Sequence, residues 1–200
     1  EGDDILGTVA ARDEELGYRT LLVTGDKDAY QLASDLTKIV TTKRGITDVV
    51  IYGPEEVEER YGVTPAQFTD FLGLKGDKAD NIPGVPGIGD KKAASMLQAY
   101  GNLEGIYANL DKFKGKQLEN LTNYKDDAFL SRQVATIVRD ADFELDLESI
   151  SFPNFNAEQV TEAFTDVRMM AHLTKILKLQ GGEAASIDCL LYTSDAADEE

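Results

Sequence analysis

The sequence predicts an α/β fold in residues 1–74, followed by a mainly α portion in residues 75–180. Three observations support this prediction. Short apolar strands alternate with helices early in the chain, a segment rich in glycine and proline follows, and helical spacing dominates after it. Residues 181–200 carry six acidic side chains and no lysine or arginine, so we expect a disordered tail or a sequence artefact there.

The individual elements follow from periodicity and from turn residues. Apolar residues at helical spacing predict a first helix over 3–16, and the apolar run 20–24 predicts a buried strand. Pro54 and Pro65 suit the first position of a helix, where a missing N–H has no cost. The other predicted elements are a short helix at 28–33, strands at 38–42 and 48–52 around a turn at 43–45, helices at 91–100, 102–110 and 116–139, and two helical stretches within 157–179.

The composition restricts the class of protein. The formal net charge is −17, no apolar run is long enough to cross a membrane, and Cys189 is the single cysteine. We therefore expect a cytoplasmic protein with no membrane partner and no internal disulfide framework. Such acidity argues against a nucleic-acid binder. The charges are uneven, however, because the segment from Lys75 to Lys125 has a net charge of +4 once Asp77 and Asp80 are set aside.

Seven carboxylates occur in three groups: at the first helix start, after the first strand, and in the glycine-rich segment. Separately, each group has an ordinary explanation as a helix start, an N-cap or a turn. If the groups converge, unit charges ~4 Å apart repel by about 4 kcal/mol at an effective dielectric of ~20, so cations are required. Oxygen ligands suit Mg²⁺ or Mn²⁺, and two such ions cleave phosphodiesters. The seven residues are Glu1, Asp3, Asp4, Asp26, Asp28, Asp77 and Asp80.

The glycine-rich segment has the features of a phosphate-binding loop. Glycines let the backbone approach a ligand closely, and a helix that follows a tight turn aims free N–H groups at an anion. Lys91 and Lys92 oppose the dipole of that helix unless an anion binds there. An ordinary connector is the alternative. A nucleoside triphosphate is not expected, because the loop lacks the Lys-Ser/Thr ending of a P-loop.

Three motifs carry a family resemblance, namely 1–8 (EGDDILGT), 24–32 (TGDKDAYQL) and 76–89 (GDKADNIPGVPGIG). In order and spacing they resemble the 5′ nuclease (5′-3′ exonuclease) domain of bacterial DNA polymerase I, within the flap endonuclease family. The resemblance covers roughly residues 1–180. It implies a PIN-like nuclease core with a partial parallel sheet, followed by a helix–hairpin–helix DNA-binding portion.

The resemblance also implies roles for particular residues. The seven carboxylates would bind two Mg²⁺ or Mn²⁺ ions, and hairpin carbonyls would hold K⁺. The substrate would be DNA with a 5′ flap, a nick or a primer, hydrolysed by a monomer to which a C-terminal polymerase domain is joined in the intact chain. The residues that would bind DNA phosphates are Gly84, Val85, Gly87, Ile88, Gly89, Lys91 and Lys92.

One departure and several alternatives remain. The family's first metal ligands and its arch have no counterpart in these 200 residues, so we expect this fragment to be inactive or nearly so, and marginally folded. A non-catalytic helix–hairpin–helix DNA-binding module is the main alternative, and a metal-dependent RNase is a weaker one. Lys112, Lys114 and Lys116 suit phosphate contact and a solvated face equally, whereas His172 suits packing or the surface better than catalysis.

Overall fold

The computed structural model describes residues 2–44, 48–146 and 155–179. Two compact units are present, Glu1–Ala141 and Asp142–Glu200. The expected division at residue 74 remains a prediction, and the proposed tail at 181–200 lies outside the described residues. In the part of the chain that the structure describes, no helix is both long and apolar enough to cross a membrane.

The first unit begins with a helix packed beside a small mixed sheet. Helix α1 (Gly2–Glu15) leads to strand β1 (Thr20–Val23), a 3₁₀ helix (Asp28–Leu32), and strands β2 (Thr37–Arg44) and β3 (Asp48–Tyr52). The sheet order is β1-β2-β3, with β1 and β2 parallel and β2 and β3 antiparallel. The turn expected at 43–45 is wrong in part. Strand β2 continues to Arg44, because an irregularity in its pairing absorbs a residue after Thr42.

Helices form the rest of the first unit. They are α2 (Pro54–Tyr61), α3 (Phe68–Lys75), α4 (Asp90–Tyr100), α5 (Leu103–Ala108), α6 (Gly115–Asn123) and α7 (Lys125–Ala135), with short 3₁₀ helices at Pro65–Gln67 and Leu110–Lys112. Helix α3 packs along α7. At Gly73 a Cβ atom would lie 2.8 Å from the carbonyl oxygen of Ala128, so this crossing depends on glycine.

The core between sheet and helices is aromatic. Tyr30, Tyr61, Phe68 and Phe71 stack mainly edge to face, with ring centroids 5.2 to 6.1 Å apart. Such ring pairs contribute about 0.5–1.5 kcal/mol each beyond the apolar area that they bury. The cluster lies directly beneath the 3₁₀ helix, since Tyr30 belongs to both, and it fixes the backbone that follows β1.

The segment after α7 departs from the sequence prediction. Helix was expected through residue 139, but α7 ends at Ala135 and residues 136–141 are not helical. Two β-branched residues, Ile137 and Val138, follow Thr136 and disfavour further helix. We call residues 136–141 the return segment, because they run back against α1: a Cβ atom at Gly7 would lie 2.5 Å from Ile137 Cγ2.

In the second unit the structure describes two helices, α8 (Ala157–Asp166) and α9 (Met170–Leu179). The Asn156 side chain caps α8 by accepting hydrogen bonds from the N–H groups of Glu158 and Gln159. The two helices contact each other, and the predicted helical stretches within 157–179 are therefore confirmed.

Candidate metal centre and nucleic-acid interface

A cavity of about 310 Å³ gathers most of the carboxylates that the sequence singles out. Acidic side chains from α1, from the turn after β1 and from the glycine-rich loop line one side, and residues 134–137 line another. The acidic lining residues are Asp3, Asp4, Asp26, Asp28 and Asp80. Carboxylates from three distant parts of the sequence therefore meet at one place.

The turn after β1 positions two of these carboxylates through its own hydrogen bonds. The N–H of Asp26 donates to Thr24 Oγ1 over 3.0 Å, and the N–H of Asp28 donates to Asp26 Oδ1 over 2.9 Å. Asp28 then begins the 3₁₀ helix whose next residues are buried. One oxygen of Asp26 thus shapes the turn, while Asp28 is carried inward.

The glycine-rich loop supplies a third part of the site. Backbone hydrogen bonds link Asp77 and Ile82 in both directions, and the N–H of Ala79 donates to Asp77 Oδ1. Asp80 lies within this turn and reaches the cavity, whereas Asp77 does not line it but acts on Asp28 electrostatically. Glu1, the seventh candidate, lies outside the described residues.

Asp28 is the most perturbed of the carboxylates. Burial raises its pKa to about 7, with further contributions from the negative charges of Asp26, Asp80, Asp77 and Asp3. Its Oδ1 atom is buried and has no hydrogen-bond partner among the described residues. A buried carboxylate oxygen without a donor is costly, and a cation is the partner that relieves both this cost and the repulsion.

The carboxylates are gathered without being closed around one point. Among the described residues, no three acidic, histidine or cysteine side chains converge closely enough to hold an ion. Mutual repulsion keeps ionised carboxylates apart, and a divalent ion is what draws such groups together. The donor set consists of oxygen atoms alone, which fits Mg²⁺ or Mn²⁺ better than zinc.

Sequence reasoning missed the residues that brace this site. The Gln31 side chain donates to the carbonyls of Asp28 and Ala135, each over 2.8 Å, and accepts from the N–H of Ile137 over 2.9 Å. The N–H of Val138 donates to Asp4 Oδ1 over 2.8 Å. Gln31 lies within the motif 24–32, but nothing in the sequence indicates that the return segment reaches it.

The glycine-rich loop is a compact hairpin anchored by two apolar side chains. Val85 and Ile88 are buried, and Gly84 and Gly87 adopt φ values of 60° and 78°. A Cβ atom at Gly84 would lie 2.2 Å from the backbone nitrogen of Gly76, so the close approach there requires glycine. The loop leads directly into α4, whose N-cap is Gly89.

The candidate phosphate-binding residues divide into two groups. The N–H groups of three of them are already engaged: Gly84 donates to Ser131 Oγ, Val85 to the Leu74 carbonyl and Ile88 to the Val85 carbonyl. These three shape the hairpin. The N–H groups of Gly87 and Gly89 have no partner among the described residues.

The lysines of α4 complete this surface. Lys91 and Lys92 are exposed in the first turn of the helix, and Lys92 Nζ donates to the Gly87 carbonyl over 3.0 Å. Positive side chains beside unused N–H groups at a helix N-terminus form an arrangement that suits an anion.

Comparison with protein families assigns a class to this combination of acidic cavity and hairpin. Residues 1–62 match the family described as 5′-3′ exonuclease, N-terminal resolvase-like domain, and residues 63–158 match 5′-3′ exonuclease, C-terminal SAM fold. The chain therefore belongs to the 5′-3′ exonuclease family, and the resemblance inferred from its motifs is confirmed.

Similar curated proteins are bacterial DNA polymerases I. The chain is 42% identical to that of Bacillus caldotenax, over 100% of this chain and 23% of the relative. It is 45% identical to that of Bacillus subtilis, over 84% and 19% respectively, and 47% identical to that of Geobacillus stearothermophilus, over 88% and 20%. The chain thus spans about a fifth of the length of these relatives.

Solved structures confirm the fold. Bacteriophage T5 5′-exonuclease with bound zinc aligns with 90% of this chain and 59% of its own, at a TM-score of 0.59 and 22% identity. The T5 flap endonuclease in a complex with DNA and metal ions aligns with 91% and 60% respectively, again at a TM-score of 0.59 and 22% identity. The predicted α/β class, a PIN-like core followed by a helical portion, is therefore correct.

Proposed function

We propose that this chain is the metal-binding and DNA-binding part of a 5′-3′ exonuclease that also acts as a flap endonuclease. The observation that carries the proposal is the buried, unpartnered Oδ1 atom of Asp28 in a cavity lined by five aspartates. Such an atom fits a divalent cation. In this proposal, residues 1–74 form the nuclease core and residues 75–180 form the DNA-binding portion.

The proposed ligands of two Mg²⁺ or Mn²⁺ ions are Glu1, Asp3, Asp4, Asp26, Asp28, Asp77 and Asp80. When bound, the ions supply an activated water and neutralise charge at the phosphodiester. The protein contributes the geometry: the turn at Asp26 orients Asp28, and Gln31 holds the backbone of Asp28 against the return segment. A cation beside Asp28 also lowers the pKa of this carboxyl, which favours its ionised form at neutral pH.

The hairpin is proposed to position the DNA by its phosphates. Gly87 and Gly89 supply unused N–H groups and Lys91 and Lys92 supply positive charge. The proposed substrates are duplex DNAs with a 5′ flap, a nick or a primer. K⁺ at the hairpin carbonyls is part of the proposal, and Lys92 already places an ammonium at one of them, that of Gly87. Exchange of NaCl for KCl at constant ionic strength tests this feature.

The relatives support further proposals about the intact protein. Because they are DNA polymerases I of which this chain spans about a fifth, we propose that a polymerase domain follows the nuclease domain. We also propose that the chain acts as a monomer in the cytoplasm. Analytical ultracentrifugation of the chain, with and without a 5′-flap duplex, tests the monomeric state.

One observation favours the alternative of a non-catalytic DNA-binding module, since no three described carboxylates converge on a single point. Mn²⁺ binding measured by electron paramagnetic resonance separates the two functions. The nuclease assignment predicts that the chain binds Mn²⁺ and that Asp28→Asn weakens the binding at least tenfold. DNA binding without any Mn²⁺ binding would favour the module. The expectation that this chain alone cleaves little DNA stays a prediction, which robust cleavage of a 5′-flap duplex in Mg²⁺ would contradict.

A further inference from the structure

A second basic edge lies outside the hairpin, at the start of α6. Lys112, Lys114 and Lys116 are exposed, and we call these three residues the α6 edge. Phe113, between the first two, is buried and packs against Tyr100 with ring centroids 5.5 Å apart. The buried ring fixes the backbone, so the lysines on either side project from a defined position rather than from a loose loop.

The α6 edge is attached to the hairpin by side-chain hydrogen bonds. Asn120 of α6 donates from Nδ2 to the Pro86 carbonyl over 2.6 Å, and Gln117 donates to Met96 Sδ of α4 over 3.5 Å. From Asn120 to Lys116 the helix advances about 6 Å at 1.5 Å per residue. The edge and the proposed phosphate-binding hairpin therefore belong to one packed surface.

The lysines of the α6 edge are available to a new anionic partner. Lys112 pairs with Asp111 at 2.9 Å and Lys116 with Glu119 at 3.6 Å, and all four side chains are largely exposed. Exposed ion pairs contribute only about 0–1 kcal/mol, so a phosphate can replace the carboxylate. Lys114 makes no hydrogen bond or ion pair with the described residues, and it caps the N-terminus of α6.

We propose that the α6 edge is a second contact for the phosphate backbone of duplex DNA, adjacent to the hairpin contact. This inference rests on the proposed function, because it assumes that the hairpin binds DNA. Duplex DNA carries one negative charge per about 1.7 Å of helix axis, so a surface that extends several ångströms beyond the hairpin meets further phosphates. Contacts of this kind are independent of sequence and sensitive to salt.

The experiment compares the salt dependence of DNA binding in matched variants of the full 200-residue chain. Fluorescence anisotropy with a 5′-flap duplex, without divalent ions, gives log Kd against log salt concentration for wild type, Lys114→Gln and the triple Lys→Gln variant of the α6 edge. Lys175→Gln removes one exposed charge from the second unit and is the control. Lys92→Gln reports on the hairpin itself.

For wild type we expect a slope magnitude of roughly 2 to 4, which Lys114→Gln lowers by about 0.9 and the triple variant by about 2. Lys175→Gln should leave the slope unchanged. If Lys92→Gln lowers the slope while Lys114→Gln and the triple variant match the control, this inference is wrong and the proposed function stands. If wild type shows no salt-dependent binding, both are overturned. Each substituted side chain is exposed, so circular dichroism should show unchanged folding.

Discussion

The backbone N–H of Val138 donates a 2.8 Å hydrogen bond to Oδ1 of Asp4, although 134 residues separate them in the chain. This bond joins the return segment to the first turn of α1, where two of the proposed metal ligands lie. Thr8 strengthens the connection, because its hydroxyl accepts from the N–H of Ala141 over 3.0 Å. The acidic cavity is therefore built by the end of the helical portion as well as by the α/β core.

Replacement of Gln31 by leucine should loosen this junction. The change removes three hydrogen bonds and leaves the carbonyls of Asp28 and Ala135 and the N–H of Ile137 without that partner. Loss of partners at partly buried groups predicts a decrease of about 1–3 kcal/mol in the free energy of unfolding. Urea denaturation measures this quantity. Gln133→Leu, at an exposed position of α7, is the control, and equal stabilities of the two variants would contradict the bracing role.

Asp28→Asn should stabilise the metal-free chain at pH 8 and remove its response to Mn²⁺. At this pH the wild-type carboxylate is ionised in a half-buried position among other aspartates, and an amide removes that repulsion. We expect a higher thermal midpoint than wild type in EDTA, and a smaller increase on adding Mn²⁺. Asp35→Asn, at an exposed position, should change neither quantity. A lower midpoint for Asp28→Asn in EDTA would argue against electrostatic strain at the site.

Glu14 gives a pH dependence that is separate from the metal site. Burial alone would raise its pKa, but hydrogen bonds from Ser34 and Thr37 and the charge of Arg139 lower the pKa below 4.5 overall. An acid with a lowered pKa in the folded state contributes stability above its unfolded pKa, and this contribution disappears as the pH falls through the folded value.

We therefore expect the stability difference between wild type and Glu14→Gln to be largest above pH 4.5 and to shrink below it. Urea denaturation at a series of pH values from 3 to 7 measures this difference. Glu15→Gln, at an exposed neighbouring position, should show little variation. A difference that grows as the pH falls would reverse the predicted sign.

The sequence predicted the elements and the residues of the site better than the way in which the site is closed. Strand β1 and α1 follow local periodicity, and Asp26 and Asp28 lie in a turn that local chemistry defines. The return segment could not be predicted in the same way. Its backbone groups bond to Asp4 and Gln31, more than a hundred residues away, and such long-range partners leave no local pattern.

Ser131→Ala should destabilise the hairpin and the packing of α7 together. The Ser131 hydroxyl, which is buried, accepts the N–H of Gly84 over 3.1 Å. Alanine leaves that N–H buried without a partner, which costs about 1–3 kcal/mol. Urea denaturation should show this loss for Ser131→Ala but not for Ser95→Ala, an exposed serine of α4. Equal midpoints for both variants would show that the hairpin does not depend on this bond.

Gly89→Ser should separate the folding role of the hairpin from its role in DNA binding. Gly89 is the N-cap of α4 with φ −109°, and a Cβ atom built there has no atom within 4 Å. Serine is a favourable N-cap, so the free energy of unfolding should be unchanged or slightly higher. The added side chain would occupy the space through which a phosphate reaches the N–H groups of Gly87 and Gly89. We therefore expect affinity for a 5′-flap duplex to fall severalfold by fluorescence anisotropy, with Ala99→Ser on the same helix as the neutral control. Unchanged affinity in a stably folded Gly89→Ser variant would show that the fold tolerates a side chain here because no ligand approaches, and the phosphate site would have to lie elsewhere.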